Sequence, residues 1–386
     1  MDKEPQSGLF QFPTRIEFGE NSHKNLVPHL LSCGLKRPFF VVDAALHDQP
    51  FVTRLVNDCT TQGLAVAVFS QFSSNPLSTH VEEGSRLAGE HKANSIVGIG
   101  GGAALDMAKA ISLLTSHGGN LFDYEDEKPG ARPIDPDRLL PWFALGTTAG
   151  TGSEVGRSAV ISDPLTQEKK IVFSPGLMAQ CVFADPTLTY SLPAQATAAT
   201  GMDAFTHCVE SFLAKGFQPF CDGIALEGIT YIVRSLPQAV RSATHRLARS
   251  EMLLASLMGG VAFQKGLGVT HSCAHALSAV SGMHHGLANG IMIDHALAYN
   301  KEACSAGFAR LAATVGKKAD PEEFFVFLRD LKHHVGIAPG LQGSPISGKH
   351  IPELAERAFK DSCHLNNPRP CDKAAFERIF HEAMAC

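Results

Sequence analysis

The sequence predicts an α/β protein in which an N-terminal Rossmann-like domain with a parallel sheet precedes a C-terminal all-helical domain. Short apolar runs alternate with helical segments through the first half of the chain, which is typical of a doubly wound sheet. A glycine cluster follows one of these runs and precedes a helix. After about residue 190, strand-like runs disappear and helical periodicity dominates. We therefore predict an α/β domain over residues 1–190 and a helical domain over residues 191–386.

The predicted strands of the first domain are short and mostly apolar. Residues 13–18 alternate weakly, and residues 38–43 form a continuous apolar run that ends in Asp43, as buried parallel strands do. Two runs, 157–162 and 169–173, flank Asp163-Pro164 and predict a β-hairpin. Further strands are predicted at 64–70, 95–99 and 141–145, and helices near 50–62, at 79–92 and from Ala103 to about Leu114.

Gly100-Gly101-Gly102 stands between a predicted strand and the following helix. This arrangement lets backbone amides approach a phosphate at the N-terminus of a helix. The Gly-x-Gly-x-x-Gly spacing of a dinucleotide fingerprint is absent, so a tight turn without a ligand is the alternative. Asp43, at the end of an earlier strand, could accept hydrogen bonds from a ribose diol or could cap the segment that follows.

A second glycine-rich stretch follows the predicted strand at 141–145. Residues 146–154 read Gly-Thr-Thr-Ala-Gly-Thr-Gly-Ser-Glu, a composition of small and hydroxyl-bearing residues. Such a stretch suits a loop against a ligand, and a flexible turn is the alternative.

The helical domain contains two stretches with possible metal ligands at helical spacing. Asp203 and His207 are four residues apart, as are His271 and His275, so each pair lies on one face of a helix. His285 follows beyond a glycine-containing turn. Two facing helices could bring a carboxylate and two or three imidazoles around one divalent cation, and this donor set suits Fe(II) or Zn(II). The chain has 18 histidines, so surface or capping pairs are the alternative, and a metalloprotease His-Glu-x-x-His motif is absent.

Composition narrows the class of protein further. The chain has 386 residues, a formal charge of −5 and no basic run, which argues against nucleic acid as a partner. The polar N-terminus shows no signal peptide, and no uninterrupted apolar stretch approaches the ~18 residues of a membrane span. We therefore expect no membrane partner. Ten scattered cysteines without a Cys-x-x-Cys motif predict reduced thiols in a cytoplasmic protein.

Several long motifs, in order along nearly the whole chain, resemble the iron-containing (group III) alcohol dehydrogenase family. The resemblance implies an NAD(P)-dependent oxidoreductase with a dehydroquinate-synthase-like fold, acting on a small-molecule alcohol or aldehyde, and it favours a homodimer. The motifs are Gly100-Gly101-Gly102 with Asp106 and Lys109, the run from Thr147 to Val155, Asp185-Pro186, the run from Ala199 to Ala204 with His207 and Glu210, Gly266-Leu267-Gly268, the run from His271 to His275, His285-Gly286, and Asn367-Pro368-Arg369.

The resemblance also implies roles for individual residues. The family's metal ligands fall on Asp203, His207, His271 and His285, and a further histidine that is proposed to assist proton transfer falls on His275. Its dinucleotide contacts fall on Asn75, Gly101, Gly102, Thr147, Thr148, Thr151 and Lys170, and the glycine motif includes Asp106. Asp43 lies where members that prefer NAD often carry an acid, which would repel the 2′-phosphate of NADP. We therefore expect NAD rather than NADP, and Fe(II) or alternatively Zn(II).

The implied reaction is hydride transfer between nicotinamide and a small primary alcohol or aldehyde whose oxygen the cation polarises. A histidine relay suits this reaction because imidazole titrates near neutral pH. An orienting role that holds a ligand or the backbone is the alternative for His275.

Substrate identity is less constrained. Family position places Ser158, Ala262 and Cys363 near the substrate pocket, and Arg157 and Lys265 lie in adjacent motifs. The two cations could bind the anionic tail of a semialdehyde or phosphonoacetaldehyde, but structural ion pairs are favoured. A short-chain primary alcohol and its aldehyde are therefore the default substrates. A covalent role for Cys363 is disfavoured, because the metal already supplies the activation.

Some residues depart from the family pattern. Ala103 replaces a frequent serine, Ala276 follows His275 where proline is usual, and His284 could compete with His285 for the metal. A non-redox dehydroquinate-synthase-like metal enzyme is an alternative, but its sugar-phosphate pocket would need more Lys and Arg. A metal-free maleylacetate-type reductase would lack part of the ligand set. A non-catalytic binding or filament-forming protein would not need the complete ligand set and cofactor loop that this chain retains.

Overall fold

The computed structural model describes Phe12 and residues 14–73, 75–126, 128–166 and 168–386. The chain divides into two compact units. We call the first the α/β unit; it comprises Pro13–Thr148 and Ser153–Tyr190. We call the second the helical unit; it comprises Ser191–Cys386 together with Ala149–Gly152 and Phe12.

A six-stranded parallel sheet forms the centre of the α/β unit. Its order is β1-β8-β5-β4-β2-β3, and every pair of neighbours is parallel. β6 and β7 form a separate antiparallel hairpin in which Ser158 pairs with Phe173. The strands are β1 (Arg15–Phe18), β2 (Pro38–Val42), β3 (Ala67–Phe69), β4 (Ser95–Gly100), β5 (Trp142–Gly146), β6 (Ser158–Ser162), β7 (Lys169–Phe173) and β8 (Cys181–Ala184).

Four α-helices connect or follow these strands, and nine form the helical unit in the part of the chain that the structure describes. The first group is α1 (Leu26–Ser32), α2 (Pro50–Thr61), α3 (Ser78–Glu90) and α4 (Gly102–His117). The second group is α5 (Ala194–Leu213), α6 (Pro219–Arg241), α7 (Arg246–Ala262), α8 (Val269–Ser281), α9 (His285–Asn300), α10 (Ser305–Thr314), α11 (Pro321–His334), α12 (Ile351–Lys360) and α13 (Lys373–Met384).

The central strands of the α/β unit are buried, and the loops that follow three of them emerge at one edge of the sheet. Every residue of β2, β4, β5 and β8 is buried, as expected for a parallel sheet covered on both faces. The apolar core includes Phe40, Val97, Phe143 and Phe183 from these four strands. The carboxyl ends of β2, β4 and β5 are neighbours in the sheet, so Asp43, the glycine loop and Thr147 emerge at one edge.

The predicted fold class is confirmed, with two differences in the strands. The strand predicted at 64–70 is shortened to Ala67–Phe69. β8 was not predicted from the sequence, although it lies between β1 and β5 in the sheet. A buried run of four residues has too few positions to show a period, so only its pairing with both neighbours reveals it as a strand.

Across the described residues, no single helix is long and apolar enough to cross a bilayer. One pair of helical segments, Arg246–Lys265 followed by Val269–Ser281, is long and apolar enough only when taken together, and it is bent by 107° at the break.

Candidate metal and cofactor sites

Helix α5 carries the first two candidate metal ligands on one face. Asp203 and His207 are separated by one helical turn, and both are almost fully buried. The Oδ1 atom of Asp203 lies 4.0 Å from His207 Nε2. The carbonyl oxygen of Gly150 lies 3.2 Å from His207 Nδ1, which places the proton on Nδ1 and leaves the lone pair on Nε2.

Helices α8 and α9 bring two further imidazoles to the same carboxylate. Asp203 Oδ1 lies 3.9 Å from His271 Nε2 and 3.4 Å from His285 Nε2. His271 lies in the first turn of α8, and His285 is the first residue of α9. The rings of His207 and His271 stack with their centroids 4.7 Å apart. The structure thus brings together Asp203, His207, His271 and His285, which the sequence places on three separate helices.

Side chains behind the ligands hold them in place. Glu210, seven residues after Asp203 on α5, accepts hydrogen bonds from the backbone N–H groups of Gly268 and Thr270 and lies 2.7 Å from His271 Nδ1. Asn289 donates to Asp203 Oδ1 at 2.7 Å from one turn beyond His285. The sequence analysis gave neither residue a role, although the i, i+7 and i, i+4 spacings would have placed both on the ligand-bearing faces.

Burial and neighbouring charges shift the pKa values of these buried residues in opposite directions. Burial lowers the pKa of His207 to about 4, so this imidazole is neutral near pH 7. Burial also lowers the pKa of His271, but the hydrogen bond and negative charge of Glu210 outweigh it and leave the pKa raised. Burial raises the pKa of Glu210, and the same pairing with His271 outweighs it and leaves the pKa lowered. Glu210 is therefore an ionised carboxylate that holds the Nδ1 proton of His271.

The cluster fits a divalent cation. Two atoms bonded to one cation at about 2 Å lie roughly 3 to 4 Å from each other, and the distances from Asp203 Oδ1 fall in this range. His271 Nε2 is buried without a hydrogen-bond partner among the described residues, a costly arrangement that a bound cation relieves. A carboxylate behind a ligating imidazole is the usual support of a metal-bound histidine. One carboxylate oxygen and three nitrogens suit Fe(II) and Zn(II) alike.

His275 lies beside this cluster and has its own carboxylate partner. Its ring centroid is 5.1 Å from that of His285, and its Nδ1 lies 2.7 Å from Asp361 Oδ2. Burial raises the pKa of Asp361, but the charge and hydrogen bond of His275 outweigh burial and hold it well below its usual range. The ionised Asp361 therefore keeps a proton on Nδ1, and Nε2 is the atom that can exchange a proton.

The candidate phosphate loop has the backbone of a sharp turn. Gly100, the last residue of β4, has φ of 150°, and a side chain there would meet Ala104 and the Cβ of Asp43. Helix α4 begins at Gly102, so its first N–H groups have no partner within the helix. Asp43 Oδ1 accepts a hydrogen bond from Ala45 N at 2.9 Å, so this residue caps the turn that follows β2. It lies directly beside the glycine loop and is only partly buried, which leaves its other oxygen able to accept from a ligand.

The remaining predicted cofactor residues fall in several places. Thr147 N donates to Gly100 O at 3.0 Å, and Thr148 packs against Gly101. Asn75 accepts a hydrogen bond at 2.8 Å from Ser162 of the hairpin. Thr151 groups with the helical unit. Lys170 lies 3.3 Å from Asp163 and 3.5 Å from Glu125, so its ammonium is paired with carboxylates of the α/β unit.

Asp106 belongs to a buried polar cluster under the glycine loop. Its Oδ1 lies 3.1 Å from Lys109 Nζ and accepts a hydrogen bond from Ser153 at 2.6 Å. Its Oδ2 accepts from Val160 N at 3.1 Å. These contacts tie α4 to the hairpin and the loop at 153–155, so the structure gives Asp106 a supporting position.

The candidate substrate residues are divided between the two units. Arg157 stacks its guanidinium 5.4 Å from the centroid of Phe173, and Ser158 O accepts a hydrogen bond from Lys109. In the helical unit, Ala262 is fully buried at the end of α7. Lys265 lies 2.5 Å from Asp222 Oδ1 and donates to Phe212 O at 3.0 Å, which is a structural ion pair.

The fifth candidate, Cys363, is partly exposed, and burial raises the pKa of its thiol well above the usual value. A protonated thiol is a poor nucleophile, which agrees with the expectation that Cys363 has no covalent role.

Two family models match this chain and together cover most of it. The model for iron-containing alcohol dehydrogenase matches residues 13–186, and the model for the C-terminal part of the Fe-containing alcohol dehydrogenase family matches residues 197–384. The chain belongs to the iron-containing alcohol dehydrogenase family. Its resemblance to that family is confirmed, and the chain is an oxidoreductase of the alcohol dehydrogenase and aldehyde reductase type.

Relatives within the family act on chemically different alcohols. This alcohol dehydrogenase is 35% identical over 361 residues to a 4-hydroxybutyrate dehydrogenase of Cupriavidus necator, covering 91% of this chain and 93% of that protein. It is 33% identical over 383 residues to an NAD-dependent methanol dehydrogenase of Bacillus methanolicus, covering 97% and 99%. A solved 1,3-propanediol oxidoreductase superposes with a TM-score of 0.93 at 31% identity, covering 98% of this chain and 100% of that one.

The carboxylate behind His271 gives a prediction for metal affinity in this alcohol dehydrogenase. Glu210→Gln keeps the size of the side chain but removes the charge that holds the Nδ1 proton. Loss of such a supporting carboxylate lowers metal affinity by about 10- to 100-fold. Competition with a coloured chelator measures this affinity directly. Glu251→Gln is the control, because Glu251 is another buried glutamate and is paired with Arg234. Equal affinities for both variants and the wild type would contradict the supporting role of Glu210.

A second buried carboxyl predicts a pH-dependent stability of the enzyme. Glu154 is buried against Gly146, where any side chain would meet its carboxyl group, and its Oε2 has no partner among the described residues. Burial raises the pKa of Glu154 from 4.5 to about 7. The native protein therefore holds a proton that the unfolded chain releases, and stability is lost as the pH rises from 4.5 towards 7.

We expect Glu154→Gln to remove this contribution. The difference in unfolding free energy between variant and wild type should grow in favour of the variant by about 3 kcal/mol across this pH range. Urea unfolding of both proteins at several pH values measures the difference. A difference that stays constant with pH would show that Glu154 titrates normally.

Proposed function

We propose that the protein is an NAD-linked, Fe(II)-dependent dehydrogenase that interconverts short-chain primary alcohols and aldehydes. The observation that carries the proposal is the cluster of buried Asp203, His207 and His271 with the partly exposed His285, in which His271 Nε2 lacks a hydrogen-bond partner among the described residues. The cluster occurs in a chain whose family consists of alcohol dehydrogenases. Zn(II) suits the same donor set and is the alternative metal.

The ligand residues would hold the cation, which when bound acts as a Lewis acid on the alcohol or carbonyl oxygen. Asp203 contributes the negative charge, and the three imidazoles contribute Nε2 lone pairs. Glu210 and the Gly150 carbonyl keep the Nδ1 protons of His271 and His207 in place, so these two Nε2 atoms face Asp203. The protein therefore presents the ligand atoms before the cation binds, which reduces the cost of ordering them.

His275 would move the proton that the reaction releases or consumes. Its Nδ1 is tied to Asp361, so Nε2 accepts a proton during alcohol oxidation and returns one during aldehyde reduction. The negative charge of Asp361 stabilises the imidazolium that forms on proton uptake. Partial exposure of His275 gives this proton a route to solvent.

NAD would be bound by the α/β unit. The N-terminus of α4 and the N–H groups of the glycine loop suit a pyrophosphate. Asp43 beside this loop would accept from the 2′-hydroxyl of NAD and repel the 2′-phosphate of NADP. The relative from Bacillus methanolicus is an NAD-dependent methanol dehydrogenase, which supports the same choice.

Replacing Asp43 tests the choice of cofactor. Asp43→Ala should raise the ratio of kcat/KM with NADP to kcat/KM with NAD by roughly tenfold, because a partly solvated like-charge contact is removed. Initial rates with both cofactors at saturating alcohol measure the ratio. Asp48→Ala is the control, since Asp48 is an exposed acid in the same loop region. An unchanged ratio would show that Asp43 serves only as the cap of its turn.

An uncharged short-chain substrate is favoured over an anionic one. Lys265 is already paired with Asp222 and is nearly buried, so it is not available to a substrate anion. Arg157 remains a candidate, and the similarity to a 4-hydroxybutyrate dehydrogenase supports an anionic ω-aldehyde as the second candidate.

A panel of substrates distinguishes an uncharged short-chain aldehyde from an anionic ω-aldehyde. Protein reconstituted with Fe(II) under anaerobic conditions is assayed with NADH and NADPH against simple aldehydes, lactaldehyde, succinic semialdehyde and phosphonoacetaldehyde. Best turnover with a simple aldehyde supports the proposal, and best turnover with an anionic aldehyde that is lost in Arg157→Gln supports the alternative. No turnover with any member, when metal and NAD are both shown to bind, overturns the proposed reaction.

We also propose a cytoplasmic homodimer. All ten cysteines are free thiols, which supports a reducing compartment. β1 lies at the edge of the sheet with Phe18 exposed, which leaves one of its sides open to pairing with a second copy. Sedimentation equilibrium of the holoenzyme tests the dimer, and a monomer at micromolar concentration would contradict it.

A further inference from the structure

A second group of possible metal ligands lies beside the first. His275, Asp361 and Cys363 offer one nitrogen, one oxygen and one sulfur, and these three atoms all lie within 4.8 Å of one another. We call these three residues the sulfur cluster. His275 projects from α8, and the other two residues follow the end of α12. All three are partly exposed, so an ion can reach them from solvent.

The protein fixes Asp361 between the other two members. Its Oδ1 accepts from Ser272 Oγ at 2.8 Å and from the Cys363 backbone N–H at 2.9 Å. Its Oδ2 lies 2.7 Å from His275 Nδ1. The ligand atoms of a tetrahedral site lie about 3 to 4 Å apart, so movements on the order of 1 Å by Cys363 and His275 would close the site.

The ligand atoms of the sulfur cluster differ from those of the Asp203 cluster. Thiolate, imidazole and carboxylate are the three ligand types that Zn(II) uses in proteins, and a water molecule completes four-coordination. The Asp203 cluster contains no sulfur, so of the two clusters only the sulfur cluster offers Zn(II) a thiolate, a donor that favours this ion. Binding would displace the thiol proton of Cys363 into solvent and would replace the proton on His275 Nδ1, which moves to Nε2. It would involve no electron transfer.

We propose that the sulfur cluster is a second metal site that binds Zn(II) and inhibits the enzyme by withdrawing His275 from proton exchange. The inhibition rests on the proposed role of His275, whereas the metal site itself does not. Because the Asp203 cluster suits Zn(II) as well, inhibition by Zn(II) at an unchanged iron content separates this effect from exchange of the metal in the Asp203 cluster. Loss of His275 from proton exchange should lower kcat by about 100-fold.

Cobalt binding tests the site without turnover. Co(II) is added anaerobically to the iron-loaded holoenzyme, and the near-ultraviolet thiolate-to-cobalt charge-transfer band is followed. The Asp203 cluster has no sulfur, so cobalt that exchanges into that site produces no such band. We expect a saturable band in the wild type that competes with Zn(II), disappears in Cys363→Ser and Cys363→Ala, and persists in His271→Ala. Cys304→Ser is the matched control, because Cys304 is also a partly exposed thiol of the helical unit.

Three results would overturn the site. These are no thiolate band in the wild type, a band that survives both Cys363 substitutions, and a band that disappears in His271→Ala. Activity is measured separately as the ratio of rates with and without Zn(II) in each protein. A wild-type ratio equal to that of Cys363→Ser overturns the inhibitory role. Because the band needs no turnover, it still tests the site if the proposed dehydrogenase activity fails.

Discussion

A His271→Ala protein is expected to lose kcat for NAD-linked alcohol oxidation on the order of 1,000-fold, since Lewis-acid activation is worth several kcal/mol. His271 Nε2 lies 3.9 Å from Asp203 Oδ1 and is buried without a hydrogen-bond partner in the part of the chain that the structure describes. Alanine would remove one of the three imidazoles and also leave Glu210 as a buried carboxylate without its histidine. Both effects weaken retention of the cation.

Iron content and turnover are measured together to test this result. The variant is reconstituted anaerobically, iron per chain is determined by elemental analysis, and thermal unfolding shows whether the protein is folded. His284→Ala is the matched control, because His284 is the exposed neighbour of His285 and precedes α9. We expect this control to retain iron and activity. An active, iron-loaded His271→Ala protein would remove His271 from the ligand set, and loss of iron in His284→Ala would assign a ligand position to His284.

A His275→Ala protein is expected to keep its iron but lose kcat by about 100-fold, the usual contribution of a positioned general acid or base. The reason is that the proposed proton exchange uses His275 Nε2, while its Nδ1 is tied to Asp361 at 2.7 Å. Removal of the imidazole leaves only water for this transfer. The pH profile of kcat should change, because the group that exchanges the proton is absent.

Asp361→Asn separates proton transfer from simple positioning. Asparagine fits the same space but cannot stabilise an imidazolium, so kcat should fall less than in His275→Ala and the pH profile should shift. Iron content, kcat and KM are measured for both variants across the pH range in which the enzyme is stable. A fall in iron content that matches the loss of rate would make His275 a support of the metal site. Unchanged kcat in both variants would show that the proton leaves through water alone.

Much of the candidate metal site was accessible from the sequence because a helix repeats every 3.6 residues. Asp203 and His207 share a face of α5 at any orientation of that helix, and His271 and His275 share a face of α8. The order of a strand, a glycine turn and a helix likewise predicts that Gly100 to Gly102 lie at the carboxyl edge of a parallel sheet. The family motifs then assign a chemistry to residues whose spacing alone leaves alternatives open.

Contacts between distant segments were accessible only from the tertiary structure. Asp361 meets His275 across 86 residues, and Asp222 meets Lys265 across 43 residues. Neither pair has a periodic signal, because its distance depends on how separate helices and loops pack. Only the tertiary structure shows that Lys265 belongs to a structural ion pair and that Asp361 fixes the tautomer of His275. It also shows that Cys363 lies beside His275 and Asp361. The sequence by itself determined the family, the fold class and the ligand types, since these depend on local spacing and motif order. Packing determined the partners of those ligands, because each partner comes from a distant part of the chain.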